Sequence, residues 1–263
     1  MSPDTKKRNK PSKAYLDQSD IPSVKLNKPM KQLLILDLNG TLVSRTKGSH
    51  SLYSRPYLEP FLDYIFDNFS VMVWSSATYK NVDKMCEIFG KHRKNLILIW
   101  TRSNFGLSEA DYNRKVITIK DLELVWKELP KYNAKNTILM DDSPEKTILQ
   151  PYNHCVISEF NHLSPSFKKR GENELIKVQR YLEQIRYEDN ISNYIKHSPY
   201  GTTFKLNEQQ QVEPENDDND NDGYPTSCLC YHYMFPQHGN QCRRELCDLG
   251  MDDIQSKLER IKL

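Results

Sequence analysis

The chain has 263 residues, enough for one well-cored domain with tails or for two small domains. Apolar residues make up 37%, and the nine glycines bring that to about 40%, below the ~45–50% of a compact globule, so part of the chain lies outside a core. Lys+Arg 37 against Asp+Glu 35 leaves a net charge of +2, which disfavours a general polyanion binder and nucleic acid as a direct substrate. No apolar run approaches the ~18–20 residues that cross a bilayer, which argues against membrane insertion.

Residues 1–30 carry Lys6, Lys7, Arg8, Lys10 and Lys13 among Pro, Ser, Asn and Asp, and read as a flexible basic arm. KKRNK is either a nuclear-import address or a solvated tail. The start has no hydrophobic stretch for a secretory signal, and Asp4, Asp17 and Asp20 disfavour a mitochondrial presequence. Without a signal, the six cysteines do not suggest a disulfide framework. The expected location is nucleus or cytoplasm, with the mitochondrion disfavoured.

From 31 to 197, short apolar runs alternate with amphipathic segments. QLLILDL (32–38), SVMVWSS (70–76), NLILIW (95–100), VITI (116–119), NTILM (136–140) and HCVIS (154–158) read as strands. EPFLDYIFDNF (59–69), YKNVDKMCEIFG (79–90, with Gly90 at a C-cap position) and DLELVWKEL (121–129, closed by Pro130) read as helices. ENELIKVQRYLEQIRYED (172–189) places Leu175, Val178, Leu182 and Ile185 on one stripe, a packing helix. Alternation of strands and helices predicts an α/β domain with a doubly wound, mostly parallel sheet.

Residues 198–226 read as an acidic disordered linker, with six carboxylates between 213 and 222 and no basic residue facing them. Residues 227–263 form a Cys/His-rich tail with a terminal amphipathic helix at 253–263. Cys228, Cys230, Cys242 and Cys247, with His232 and His238, are candidate Zn²⁺ ligands, although the spacing departs from paired C-x₂-C motifs. A reduced, unliganded tail is the competing reading.

In such a sheet, ligands sit beyond the carboxyl ends of the strands. Four polar clusters fall there: Asp37-Leu38-Asn39-Gly40-Thr41, Trp74-Ser75-Ser76-Ala77-Thr78, Lys120-Asp121, and Asp141-Asp142-Ser143-Pro144. Carboxylates, an amine and small hydroxyl donors in one place suit Mg²⁺ beside a phosphoryl group. Taken singly, Asp121 reads as a helix N-cap and Ser76 as a loop residue.

These motifs, ILDLNGTLV, VWSSAT, the lysine of IKDLE, and MDDSP, together with Arg55-Pro56, resemble the haloacid-dehalogenase superfamily over roughly residues 31–165. The likeness is greatest to its branch of small C-terminal-domain phosphatases, Dullard-type (NLI-interacting-factor) phosphatases and the related mitochondrial translocase receptor. The resemblance implies a HAD-like phosphatase domain over 31–197 that acts on serine or threonine of a phosphorylated protein segment. It makes Asp37 the nucleophile that forms an aspartyl-phosphate, and Thr41, Ser75, Ser76 and Lys120 the groups around the phosphoryl oxygens. It implies Mg²⁺ on Asp37, Asp142 and the main-chain carbonyl of Asn39, with Asp141 in support. The short stretch 100–115, where a cap would be inserted, implies an open site, with Trp100, Phe105 and Tyr112 either lining it or packing.

One position departs from the family pattern. Asn39 stands where the family carries the acid that protonates the leaving oxygen and then activates water. A carboxamide hydrogen-bonds but does not exchange a proton near pH 7, and losing general acid–base help costs about 10²–10⁴ in rate. The expectation is a phosphatase with weakened turnover. A non-catalytic phosphopeptide-binding or adaptor protein, a translocase-receptor-like component, and an engineered trapping substitution are the alternatives.

Overall fold

The computed structural model describes residues 9–45, 52–165 and 172–201. The acidic stretch from 202 onward, and with it Cys228, Cys230, Cys242, Cys247 and the terminal helix expected at 253–263, lies outside the described residues, as does most of KKRNK.

Five parallel strands build the sheet: β1 (Leu33–Leu36), β4 (Ser70–Trp74), β5 (Leu98–Trp100), β6 (Thr137–Asp141) and β7 (His154–Val156), in the order β5-β4-β1-β6-β7. The hairpin β2 (Val43–Arg45) with β3 (Leu52–Ser54) stands apart from it. Burial on both faces explains why β1 reads as an unbroken apolar run. Leu34 and Leu36 enter one core with Val71, Val73, Ile138 and Met140, whereas Leu33 and Ile35 enter the other with Met72, Trp74 and Leu139. The first core is closed by α2 (Leu58–Asn68), α3 (Tyr79–Met85), α6 (Glu174–Ile185) and α7 (Ile191–His197). The second is closed by α5 (Leu122–Glu128) and Phe105, which lies beyond β5 and before the short α4 (Glu109–Tyr112). The sheet is therefore doubly wound. Leu175, Val178, Leu182 and Ile185 are all fully buried in the first core, as a packing helix requires.

Three segments differ from the sequence reading. VITI forms no ladder, because Ile117 is 66% exposed and only Thr118 and Lys120 of the stretch are buried. Its β-branched residues line a surface rather than a sheet. The helix expected over 79–90 ends at Met85 and continues as 3-10 turns over Cys86–Asn95, with Gly90 at φ 46° inside them. Within 13–30, read as part of a flexible arm, residues 13–20 form a docked helix, and the amides of Leu26 and Met30 donate to the carbonyls of Tyr187 and Arg186 at 2.6 and 2.9 Å. Ser12 caps α1 (Lys13–Asp20) by accepting from the Tyr15 amide at 3.2 Å. Tyr15, only 3% exposed, stacks on Trp126 and Tyr152 at 6.5 and 6.2 Å, and its hydroxyl accepts from the Tyr152 amide at 2.8 Å. A single buried aromatic in this helix, Tyr15, is a signal too sparse for periodicity to show.

Candidate active site

The chain leaves β1 for β4 on one side and returns to β6 on the other, so the crevice between the ends of β1 and β6 is the switch point where ligands bind in open α/β sheets. Asp37 follows β1 directly, with its amide donating to the Met140 carbonyl at 3.0 Å. Asp141 ends β6, and Asp142 comes next. Oxygens of Asp37, Asp141 and Asp142 lie within 4.8 Å of one another. Lys120, fully buried, donates to Asp37 Oδ1 at 3.1 Å and to Asp141 Oδ2 at 2.6 Å. Although VITI is not a strand, it delivers this lysine, held by its amide to the Lys146 carbonyl at 2.7 Å.

A second lysine completes the inner cluster. Lys146 Nζ lies 3.0 Å from Asp141 Oδ1 and 3.6 Å from Asp37 Oδ2. The sequence reading passed over it because it sits one turn beyond MDDSP, in the 3-10 turn Pro144–Thr147, where a lysine looks like an ordinary exposed residue. Burial and the negative Asp141 push the Asp142 carboxyl up to about 6. Burial also raises Asp37, against the pull of Lys120. Burial would raise Asp141 as well, but Lys120 and Lys146 outweigh it and hold that carboxyl down at about 2. His154 beneath the cluster is kept neutral by burial, its pKa lowered to about 4. Its Nε2–H then faces the Asp141 carbonyl at 3.0 Å, leaving Nδ1 to accept from Thr147 at 2.8 Å.

The loop after β1 is shaped around Asp142. Gly40 has φ +87°, and a Cβ there would stand 2.9 Å from Asp142 Oδ2. The Thr41 hydroxyl, expected at the phosphoryl group, donates instead to Asp142 Oδ1 at 3.2 Å from a fully buried position. Arg55, 1% exposed, fixes this loop. It donates to the Thr41 carbonyl at 2.8 Å, to the Ser158 carbonyl at 2.9 Å and to Glu172 at 3.1 Å.

Above the cluster lies an open cleft of about 720 Å³, lined by Asp37, Asn39, Ser75 and Ser76 among others. Ser75 is 3% exposed at the end of β4, and Ser76 shares a hydroxyl contact of 2.7 Å with Thr118. Asn39 is exposed on the cleft wall. Asp121 accepts from the Glu123 amide at 3.2 Å as the N-cap of α5 and stands outside the cleft lining. Among the aromatic candidates, Trp100 packs edge-on against Trp74 at 4.9 Å and Phe105 packs on Trp74 at 5.2 Å, so both belong to the core. Tyr112 lies under Arg102, 5.9 Å from its ring centre, and does not line the cleft either.

The family model for NLI interacting factor-like phosphatases matches residues 32–192, beyond the 31–165 that the motifs span and far enough to include α6. An uncharacterized FCP1 homology domain-containing protein of Schizosaccharomyces pombe is 37% identical over 210 residues, covering 72% of this chain and 85% of its own length. The ubiquitin-like domain-containing CTD phosphatase 1 of Danio rerio is 29% identical over 171 residues, covering 63% of this chain. The match takes in 53% of that phosphatase, so the chain spans about half of its length. The beryllium fluoride complex of the fission yeast RNA polymerase II CTD phosphatase Fcp1 aligns at 12% identity and a TM-score of 0.40, covering 72% of this chain and 59% of that one. Matched by the family model over more than half its residues and sharing 37% identity with a relative that carries the same domain, the chain belongs to the NLI interacting factor-like phosphatases of the haloacid-dehalogenase superfamily.

Proposed function

We propose that this chain acts on phosphorylated serine or threonine in a protein segment, with Asp37 as nucleophile and with turnover weakened by Asn39. The observation that carries the reading is the strand-end cluster, in which Asp37 is buried between two ammonium groups and two further carboxylates at the mouth of an open cleft. In the first step an Asp37 oxygen bonds to phosphorus and the bond from phosphorus to the seryl oxygen breaks. The departing oxygen takes its proton from solvent, because Asn39 offers none. Water then attacks the aspartyl-phosphate, releases its proton to solvent, and frees Asp37 and inorganic phosphate. Lys120 and the hydroxyl of Ser75 would face the charge on the phosphoryl oxygens.

The residues fit a divalent cation. Three carboxylates face two lysines, and the Asp142 carboxyl is raised by burial and by the negative Asp141, both of which a cation would offset. Mg²⁺ suits hard oxygen donors. Asp37, Asp142 and the Asn39 carbonyl would hold it, with Asp141 in support, and its charge would favour the anionic transition state. Relatives named CTD phosphatases, together with the basic stretch at 6–10, support a nuclear place of work.

Asn39 gives a second reading, retention of a phosphopeptide without turnover, some weight. No described histidine lines the cleft to replace the missing acid. Hydrolysis of p-nitrophenyl phosphate with Mg²⁺ separates the two. Slow turnover is expected of the chain as it stands, a gain of about 10²–10⁴ from Asn39→Asp, and none from Asp37→Asn. Activity that survives Asp37→Asn overturns the nucleophile. Activity seen only after Asn39→Asp moves the natural role to binding.

A further inference from the structure

The cleft volume of about 720 Å³ is that of a site for a whole small ligand, for which roughly 300–1,000 Å³ is ordinary, rather than for one phosphoryl group. Its inner and outer linings carry different charge. At its base, Lys146, and behind the lining the buried Lys120, are held by Asp37 and Asp141 at 2.6–3.6 Å. The outer lining carries Arg45, Arg102 and Lys115 against a single carboxylate, Glu145. The ion pairs among the described residues include none of these three cations.

The three are held differently. The Arg102 guanidinium donates to the carbonyls of Tyr112 at 2.6 Å, Asp111 at 3.0 Å and Arg114 at 2.6 Å. It thereby fixes the turn that brings Lys115 to the rim, and few of its own donors remain for a ligand. Lys115 is exposed, and among the described residues the side chain of Arg45, at the end of β2, reaches the Asn81 carboxamide at 3.4 Å. Two cations from separate elements thus border one cleft, with few of their donors committed among the described residues. Between protein walls, such charges attract anions more strongly than on an open surface.

We infer that Arg45 and Lys115 form a second anion subsite, by which the chain selects a phosphorylated protein segment bearing a further phosphate or carboxylate near the target residue; this rests on the phosphoryl-site reading above. A second phosphate, carrying nearly two charges, engages the subsite more strongly than a glutamate.

Fluorescence anisotropy with the full chain in Mg²⁺ tests the subsite, using labelled peptides with no phosphoserine, one, one beside a glutamate, and two. The second phosphate is expected to tighten binding about fivefold at low salt, as one well-formed exposed ion pair would. The glutamate should do so by less, and both gains should shrink as salt rises. In Arg45→Gln and in Lys115→Gln, with unchanged melting temperatures, the ratio of singly to doubly phosphorylated Kd should fall toward one. Equal affinity for the two phosphopeptides, or a ratio that survives both substitutions, overturns the inference. If orthovanadate raises the melting temperature while the second phosphate adds nothing, the subsite alone is lost. If orthovanadate has no effect and no phosphopeptide binds, the phosphoryl site is lost with it.

Discussion

Two buried polar clusters hold distant parts of this chain together, and they are built on opposite principles. In the seam where residues 18–26 meet 185–193, Asn190 donates to the carbonyls of Gln18 and Ile21 at 3.0 and 2.7 Å and accepts from Ser192 at 2.8 Å. Asn193 donates to the Ser19 carbonyl and accepts from the Ser23 amide, both at 2.9 Å. Both carboxamides are neutral, and Asn190 spends both of its amide protons on main-chain carbonyls. At the strand ends, three carboxylates meet two ammonium groups, and one carboxyl is pushed up to about 6. Buried polar groups that satisfy one another stabilise a fold, whereas those left short of a charge prepare a site.

The largest effect should come from removing one partner of the charged cluster. Lys120→Met leaves Asp37 and Asp141 facing only Lys146 and should cost about 3–5 kcal/mol in denaturant unfolding. A loss below about 1 kcal/mol would mean that the carboxylates simply take up protons, which would break the contrast between the clusters. Gly40→Ala sharpens it, because the new Cβ lands 2.9 Å from Asp142 Oδ2 at φ +87°. Calorimetry should show Mg²⁺ bound at least about tenfold more weakly, with about 1–2 kcal/mol of stability lost to the left-handed backbone. In the neutral seam, Asn190→Ala should cost about 2 kcal/mol by stranding two carbonyls, while Mg²⁺ affinity measured by calorimetry stays unchanged. Tyr15→Phe, which strands the Tyr152 amide, should lower stability by about 1 kcal/mol in the same unfolding assay. Loss of Mg²⁺ binding in Asn190→Ala would show that the two clusters are coupled.

The clusters also differ in how far they could be read from the sequence. The central strands β1, β4 and β6 announce themselves because continuous apolar runs such as LLIL are required when both faces are buried. Asp37, Ser75 and Asp142 were legible because each stands at the end of such a run, and Lys120 because it follows the apolar stretch VITI. Lys146 was not, since its meaning comes from a turn that folds it back over Asp141. The docking of 13–30 was equally hidden. Its contacts are one tyrosine and a set of backbone and amide hydrogen bonds, which leave no hydrophobic period. VITI misled for the opposite reason, because β-branched residues suit an extended chain whether or not a neighbour pairs with it.

Arg55 gives the site a history as well as a shape. It joins the loop beside Asp37 to Ser158 and to Glu172, partners 103 and 117 residues further along the chain. Contacts so distant in sequence form only after the intervening chain has been made. On the ribosome, Asp37 emerges early, but the loop beside it stays unclamped until the stretch leading into α6 has been synthesised. The clamped strand-end cluster is therefore a property of the finished domain, and a nascent chain stopped before residue 172 should carry the motif without the proposed activity.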